Sequence, residues 1–318
     1  MKIVILDGYA CNPGDLDWSG IEALGDLTVY DRSAPDQVLT RCAGAEIVLT
    51  NKTLLGREKL AALPSLKYVG LLSTGTNAVD VAAASECGII VTNIPAYSTM
   101  SVAQNVFALL LELTNQTGLH NQAVHEGAWV RSRDFCFTLA PLVELADQTL
   151  GLVGYGAIGR AVAGMALAFG MRVKVCTRTR PATAPAGVDF VGLSELLEQA
   201  DVVSLHCPLN DATKELINCK TIRQMKDGAF LINTGRGGLI NEVDVAEALA
   251  TGKLGGVGVD VLSREPPTAD NPLLTAPHCV ITPHISWASK AARTRLMGIA
   301  TDNIRAFLSG VPIHVVKD

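Results

Sequence analysis

Short apolar runs rich in valine and isoleucine alternate with amphipathic stretches along the whole chain. In the first third this pattern predicts strands at residues 2–7, 45–50, 66–72 and 88–93, separated by helical patterns at 34–43, 56–63 and 79–86. The strand segments show little polar alternation, which is typical of parallel strands covered by helices on both faces.

A long helical pattern follows at residues 98–126, with apolar residues recurring at helix spacing, and an irregular aromatic stretch covers 129–141. Strand and helix patterns then alternate again, with strands predicted at 149–153, 172–176, 201–206, 229–234, 255–261 and 278–282 and a last helix at 289–308. We predict an α/β protein with two doubly wound parallel-sheet domains. The last helix can return to the first domain and make that domain discontinuous.

Composition narrows the function classes. The 318 residues are 48% hydrophobic and 18% charged, which suits two buried cores. A net charge of −5 without a basic run argues against nucleic acid as the main partner. Eight cysteines without a CxxC pair are expected to be reduced, and the histidines lack metal-ligand spacing, so no metal is predicted. Without a secretory leader or a membrane-length apolar run, we expect a cytoplasmic location and no membrane partner.

A glycine-rich turn predicts dinucleotide binding. The segment Gly154-Tyr-Gly156-Ala-Ile-Gly159 follows a predicted strand and opens a predicted helix. Gly154 permits a tight turn, Gly156 allows a pyrophosphate to approach the backbone, and Gly159 allows close helix–strand packing. The alternative is a purely structural glycine turn, which the strand–turn–helix context disfavours.

The end of the next predicted strand bears on the choice between NAD and NADP. An acid is expected there when the ribose diol of NAD is bound. The sequence instead has Thr177 at that position, followed by Arg178, Thr179 and Arg180, which can engage a 2′-phosphate. We therefore favour NADP(H) over NAD(H), with a solvated basic turn as the alternative.

Three polar residues lie just after successive predicted strands. Arg236 can hold a carboxylate or polarise a carbonyl, and His284 can donate a proton near neutral pH. Glu265 can orient the histidine and favour its charged form. Separately they could be a surface salt bridge, a structural histidine and a turn residue. Together they predict an acid–base site that protonates a carbonyl oxygen while hydride attacks its carbon.

At these residues the chain resembles the D-isomer-specific 2-hydroxyacid dehydrogenases, over nearly its whole length. Segments 73–77, 95–99, 101–104, 134–137 and 284–287 look most like the glycerate dehydrogenases, or hydroxypyruvate reductases, of that family. Glu265 argues against the formate dehydrogenases of the superfamily, which carry glutamine there. Thr177 departs from the common acid and puts an NAD preference in doubt.

The resemblance implies a flavodoxin-like substrate domain at 1–98 plus 289–318, a Rossmann cofactor domain at 99–288, and a homodimer formed through the latter. It implies Arg236, Glu265 and His284 as the catalytic set, and a substrate carboxylate held by the backbone N–H groups of Thr74 and Gly75. We expect Trp287 to shape the substrate pocket. The implied cofactor positions, besides the glycine turn and residues 177–180, are Ala157, Ile158, Cys207, Thr213, Thr234, Gly235 and Asp260.

These observations predict an NAD(P)H-dependent oxidoreductase that reduces hydroxypyruvate or glyoxylate to D-glycerate or glycolate, with hydride from the nicotinamide and a proton from His284. The alternative within the same class is reduction of another 2-keto acid, of phenylpyruvate or lactate type. A dinucleotide-sensing, corepressor-like binding protein shares the expected fold, but the three catalytic residues disfavour it.

Overall fold

The computed structural model describes residues 1–317. Within them, the strands in chain order are β1 Lys2–Ile5, β2 Asp26–Val29, β3 Ile47–Thr50, β4 Tyr68–Leu71, β5 Ile90–Thr92, β6 Thr149–Val153, β7 Arg172–Cys176, β8 Val188–Phe190, β9 Val202–Leu205, β10 Ala229–Asn233, β11 Leu254–Val259 and β12 Cys279–Ile281. The helices are α1 Ser19–Glu22, α2 Val38–Arg41, α3 Arg57–Ala61, α4 Val81–Glu86, α5 Thr99–Asn115, α6 Thr117–His125, α7 Ala157–Ala168, α8 Leu193–Gln199, α9 Cys219–Gln224, α10 Glu242–Ala250 and α11 Lys290–Leu308.

The chain forms two compact units, which we call unit 1 and unit 2. Unit 1 combines Met1–Ser98 with the segment from Ala288 onward, and unit 2 is Thr99–Trp287. Every strand pairing in both units is parallel. The predicted fold class, two doubly wound parallel sheets, is confirmed.

Unit 1 contains a five-stranded sheet in the order β2-β1-β3-β4-β5, which is the flavodoxin order. Strand β3, with the sequence Ile-Val-Leu-Thr, is buried along its whole length, which is typical of an inner parallel strand. Helix α4 begins where the Asp80 side chain accepts a hydrogen bond from the Ala83 N–H at 2.9 Å. Helix α11 completes this unit from the far end of the chain.

Unit 2 contains a seven-stranded sheet in the order β12-β11-β10-β9-β6-β7-β8. From β6 the chain continues through β7 to β8 on one side of the sheet, and β9 then follows on the other side of β6. In such sheets, ligands bind beyond the carboxyl ends of the strands at the point where the strand order reverses, here between β6 and β9. Helix α5 packs against β11 at two glycines: a Cβ at Gly256 or Gly258 would lie 2.9 Å from Leu113 or Leu109. The sheet therefore meets the helix closely where glycines leave room.

The structure corrects two sequence predictions. The single helix predicted over 98–126 is wrong, because Gln116 adopts a left-handed backbone with φ 47° and separates α5 from α6. Strands β2 and β8 were not predicted. Both lie at sheet edges and are short and partly exposed, and both lack the continuous apolar run of strands such as β3 and β6. Among residues 1–317, no helix is both long and apolar enough to cross a membrane.

Candidate active site

The glycine turn joins β6 to α7. Its first residue, Gly154, has no space for a side chain. Gly154 has φ +103°, and its N–H donates to the Cys176 carbonyl at 2.8 Å. A Cβ on Gly154 would lie 2.6 Å from the carbonyl carbon of His206, and one on Gly159 would lie 2.4 Å from the Gly154 oxygen. The turn therefore brings the start of α7 directly against the end of β6.

The start of α7 has the form of an anion site. No side chain caps the helix at Gly156, and a Cβ built there would meet no atom within 4 Å. Within residues 1–317, the backbone N–H groups of Ala157 and Ile158 donate to no protein acceptor. Donors of this kind at a helix N-terminus attract phosphate. The turn thus fits the pyrophosphate of a dinucleotide.

Beneath the turn lies His206, whose ring Nε2 is 2.9 Å from the Ser204 hydroxyl. Desolvation lowers the pKa of His206 to about 4, so the ring is neutral at physiological pH although the residue keeps some exposed surface. Its side chain also borders Gly159, where a Cβ would lie 3.8 Å from the His206 Cβ. His206 therefore supports the turn as a neutral, packed side chain.

A second feature that suits a ligand lies at the end of β10. Thr234 is buried, and its hydroxyl has no hydrogen-bond partner among the described residues. A buried hydroxyl without a partner costs about 1–3 kcal/mol, so a bound polar group there would be stabilising. Gly235 follows, with its N–H donating to the Asn233 side chain at 3.1 Å. Thr234 and the glycine turn both lie at the carboxyl edge of the same sheet.

The other predicted cofactor residues lie in loops at this edge, with different degrees of constraint. Thr177 is half-buried and its hydroxyl donates to the Thr179 carbonyl at 3.4 Å, while Arg178 and Arg180 are exposed. Cys207 is half-buried, and burial raises the pKa of its thiol. The Thr213 hydroxyl donates to the Pro208 carbonyl at 2.6 Å and is engaged within its own loop. Their cofactor contacts stay predictions.

Glu265 and His284, two of the three predicted catalytic residues, meet directly. The Nδ1 atom of His284 is 2.6 Å from the Glu265 Oε2, and the side chains are 27% and 37% exposed. The other carboxylate oxygen of Glu265 accepts a hydrogen bond from the Leu262 N–H at 3.1 Å. The carboxylate is therefore held from one side while it orients the imidazole from the other.

His284 lies in a loop that Asp260 holds in place. Asp260 is only 1% exposed, and its carboxylate accepts hydrogen bonds from the Thr282 hydroxyl at 2.6 Å, the Ile285 N–H at 2.8 Å and the Ser286 N–H at 2.9 Å. The His284 N–H donates to the Asp260 carbonyl at 2.8 Å, and His284 has φ +54°. Sequence reasoning placed Asp260 beside the cofactor and missed this anchoring role.

Arg236 is exposed, but its backbone is fixed. The buried Asn233 side chain donates to the Arg236 carbonyl at 2.9 Å, and the Arg236 Nη1 donates to the Gly235 carbonyl at 2.8 Å. A Cβ on Gly237 would lie 1.9 Å from the carbonyl carbon of Leu262. The Arg236 loop therefore touches the loop of Glu265 backbone to backbone. The sequence analysis did not predict that Asn233 holds this loop. The available signal was that Asn233 is a polar residue at the end of an otherwise apolar strand.

In unit 1, the loop after β4 carries Thr74 and Gly75. Its shape is set by hydrogen bonds from the Thr74 hydroxyl to the Ile94 carbonyl at 2.7 Å and from the Asn93 side chain to the Thr74 carbonyl at 2.8 Å. The N–H groups of Thr74 and Gly75 donate to no acceptor in residues 1–317. Consecutive N–H groups of this kind form anion-binding concavities. Trp287, which sequence reasoning placed at the substrate, is half-buried at the end of unit 2.

Comparison with known proteins agrees with this geometry. A family profile described as "D-isomer specific 2-hydroxyacid dehydrogenase, NAD binding domain" matches residues 107–286. The chain is 50% identical over 321 aligned positions to a hydroxypyruvate reductase of Blautia hydrogenotrophica, covering 100% of both chains. It is 39% identical to a glycerate dehydrogenase of Methylorubrum extorquens, covering 89% of each.

A solved structure is also similar. The NADPH-dependent glyoxylate/hydroxypyruvate reductase of Sinorhizobium meliloti, crystallised with citrate, matches with a TM-score of 0.85 and 28% identity over 99% of this chain and 97% of that one. The protein belongs to the D-isomer-specific 2-hydroxyacid dehydrogenases. It is therefore an oxidoreductase that uses a nicotinamide cofactor, as the sequence predicted.

Proposed function

We propose that the protein reduces hydroxypyruvate and glyoxylate to D-glycerate and glycolate, with NADPH as the preferred cofactor. The observation that carries the proposal is the contact of 2.6 Å between His284 and Glu265. This pair lies in the same unit as the glycine turn, and the loop of Glu265 packs against the loop of Arg236. Support for the substrate comes from the full-length likeness to a hydroxypyruvate reductase and the structural likeness to a glyoxylate/hydroxypyruvate reductase.

The residues that would hold the cofactor are those at the carboxyl edge of the unit 2 sheet. The N–H groups of Ala157 and Ile158 would hold the pyrophosphate, and the buried hydroxyl of Thr234 would bind a polar group of the cofactor. When bound, the cofactor supplies the hydride that reduces the keto carbon. The proton and the stabilisation of developing charge come from side chains of this chain.

His284 supplies the proton. Because its Nδ1 faces Glu265, its Nε2 is the nitrogen that can donate to the substrate oxygen. The Glu265 carboxylate fixes the orientation of the ring during transfer. After transfer the ring is neutral, and it takes up a proton from solvent before the next turnover.

Arg236 stabilises the charge that develops on the substrate oxygen and grips the substrate carboxylate with its planar fork. In unit 1, the N–H groups of Thr74 and Gly75 have no acceptor within residues 1–317 and form a concavity suited to a carboxylate. Trp287 limits the length of the substrate side chain. The small size of hydroxypyruvate and glyoxylate agrees with these assignments.

The preference for NADPH rests on residues 177–180. Thr177 stands where an acid would repel a 2′-phosphate, and the exposed Arg178 and Arg180 can form charge-assisted hydrogen bonds to that phosphate. The named NADPH dependence of the Sinorhizobium meliloti relative supports this reading.

A panel of 2-keto acids assayed with NADPH and NADH in parallel tests the function. We expect hydroxypyruvate and glyoxylate to have the highest kcat/KM, with NADPH ahead of NADH. A clear preference for phenylpyruvate or pyruvate would move the protein to another substrate class of the family. No oxidation of either cofactor with any of these acids would refute the enzyme function.

We further propose a homodimer formed through unit 2. The segment 117–142, which we call the arm, exposes seven large apolar side chains, and helix α6 within it has no buried residue. Val130 is 90% and Phe135 is 88% exposed. The concentration of exposed large apolar side chains in one segment favours an interaction site. Light scattering should give a dimer, and V130D/F135D should give a folded monomer; a wild-type monomer would refute the proposal.

A further inference from the structure

The loop that carries Glu265 has little support of its own. Residues 263–270 are all exposed, and none of them lies in a strand or helix. A loop of this kind ordinarily samples many conformations. The 2.6 Å contact between Glu265 and His284 nevertheless requires the carboxylate to stay in one place. Some other group must therefore fix the loop.

One side chain binds both ends of this loop. The Oε1 atom of Glu242 accepts a hydrogen bond from the Ser263 N–H at 2.7 Å. Its Oε2 atom accepts from the Ser263 hydroxyl at 2.8 Å and from the Asn271 side-chain amide at 2.9 Å. Ser263 begins the exposed segment and the buried Asn271 directly follows it, so a single carboxylate closes the loop across its base.

Glu242 itself is rigidly placed. It is the first residue of α10 and is half-buried, and the Asn241 side chain caps that helix by accepting from the Asp244 N–H at 3.1 Å. A carboxylate in the first turn of a helix is also favoured by the helix dipole. The three groups that contact the Glu242 carboxylate all donate hydrogen bonds to it. A carboxylate accepts with two oxygens, whereas a glutamine amide has only one, so glutamine cannot fully replace it.

We propose that Glu242 is a positioning residue for the Glu265–His284 pair, which rests on the proposed function of that pair. Its three hydrogen bonds go to Ser263 and Asn271. By joining Ser263 to Asn271, Glu242 fixes the loop that carries Glu265. The hydrogen bond from the Leu262 N–H to the Glu265 carboxylate holds the same loop at a second point. Reactions that depend on proton transfer are sensitive to such placement, with losses of about 100-fold for a shift of about 1 Å.

The test uses the full-length enzyme with Glu242→Gln and Glu242→Ala. The matched control is Glu247→Ala, an exposed glutamate on the same helix with no side-chain contact to the loop among the described residues. We expect kcat to fall by up to about 100-fold in Glu242→Ala and by less in Glu242→Gln, with the KM for NADPH unchanged and the control like wild type. Ser263→Ala, which removes one hydrogen bond from the loop side, should resemble Glu242→Gln.

A further readout separates positioning from a merely structural role. Hydrogen–deuterium exchange should increase in peptides covering 262–271 in Glu242→Gln and stay constant in α7.

The outcomes distinguish this inference from the proposed function. If the wild-type protein reduces no 2-keto acid, the proposed function fails, and hydrogen exchange still decides whether Glu242 holds the loop. If Glu242→Gln keeps wild-type kcat and wild-type exchange, the positioning role is overturned. If Glu242→Ala does not fold, Glu242→Gln and Ser263→Ala carry the decision.

Discussion

Two groups of loops at the carboxyl edge of the unit 2 sheet differ in how firmly they are held. The loops after β10, β11 and β12 carry Arg236, Glu265 and His284, and buried or half-buried groups fix each of them: Asn233, Glu242 and Asp260. The loop after β7 carries the exposed Arg178 and Arg180. In this loop the Thr177 hydroxyl donates one long hydrogen bond, of 3.4 Å, to the Thr179 carbonyl.

The difference follows from the two tasks. Proton transfer requires donor and acceptor to be placed within a fraction of an ångström, so the residues that perform it need rigid support. Recognition of a phosphate by arginine depends on charge and on long side chains that can adjust. The firmly held loops therefore suit the chemistry, and the exposed loop suits the choice of cofactor.

The largest effect is expected from removing the proton donor while keeping its loop. His284→Asn replaces the imidazole but tolerates the left-handed backbone at φ +54°. Turnover should fall by about 10²–10⁴-fold, while NADPH binding measured by fluorescence titration stays close to wild type. Wild-type turnover, or lost cofactor binding with turnover retained, would show that His284 is not the donor.

An intermediate effect is expected from forcing two of the held loops apart. The methyl group of Gly237→Ala would lie 1.9 Å from the Leu262 carbonyl carbon, so kcat should fall by about 10- to 100-fold and stability by about 1–3 kcal/mol. The control is Gly164→Ala in α7, where a Cβ meets no atom within 4 Å and stability should rise by up to about 1 kcal/mol. Thermal unfolding and initial rates measure both; equal behaviour of the two variants would contradict the packing argument.

The smallest effect on chemistry is expected in the exposed loop. R178A/R180A should raise the KM for NADPH by about 10- to 100-fold, because charge-assisted bonds to the 2′-phosphate are lost, and should leave kcat and the KM for NADH unchanged. R223A, which alters an exposed arginine on α9, is the control. Equal losses with NADH and NADPH would remove residues 177–180 from the choice of cofactor.

Much of the fold could be predicted because its signals are local. Strands β6 and β7 were predicted at their observed bounds. Strand β6 is a mostly apolar, fully buried run, and β7 alternates Arg172 and Lys174 with the buried Val173 and Val175. Helix α11 was predicted to within a residue. The break at Gln116 was not, because a left-handed residue other than glycine carries no local signal in the sequence.

For the site, the sequence alone determined which residues are candidates for cofactor binding and catalysis. They are a glycine turn after one strand, and an arginine, a glutamate and a histidine that each follow a later strand. The pairing of Glu265 with His284 was an expectation that the fold confirmed at 2.6 Å. Only the tertiary structure decided what holds the pair, because Glu242 reaches Ser263 and Asn271 across 21 and 29 residues of sequence. Hydrogen bonds over such separations depend on how helices and loops pack, and no spacing rule along the chain encodes them.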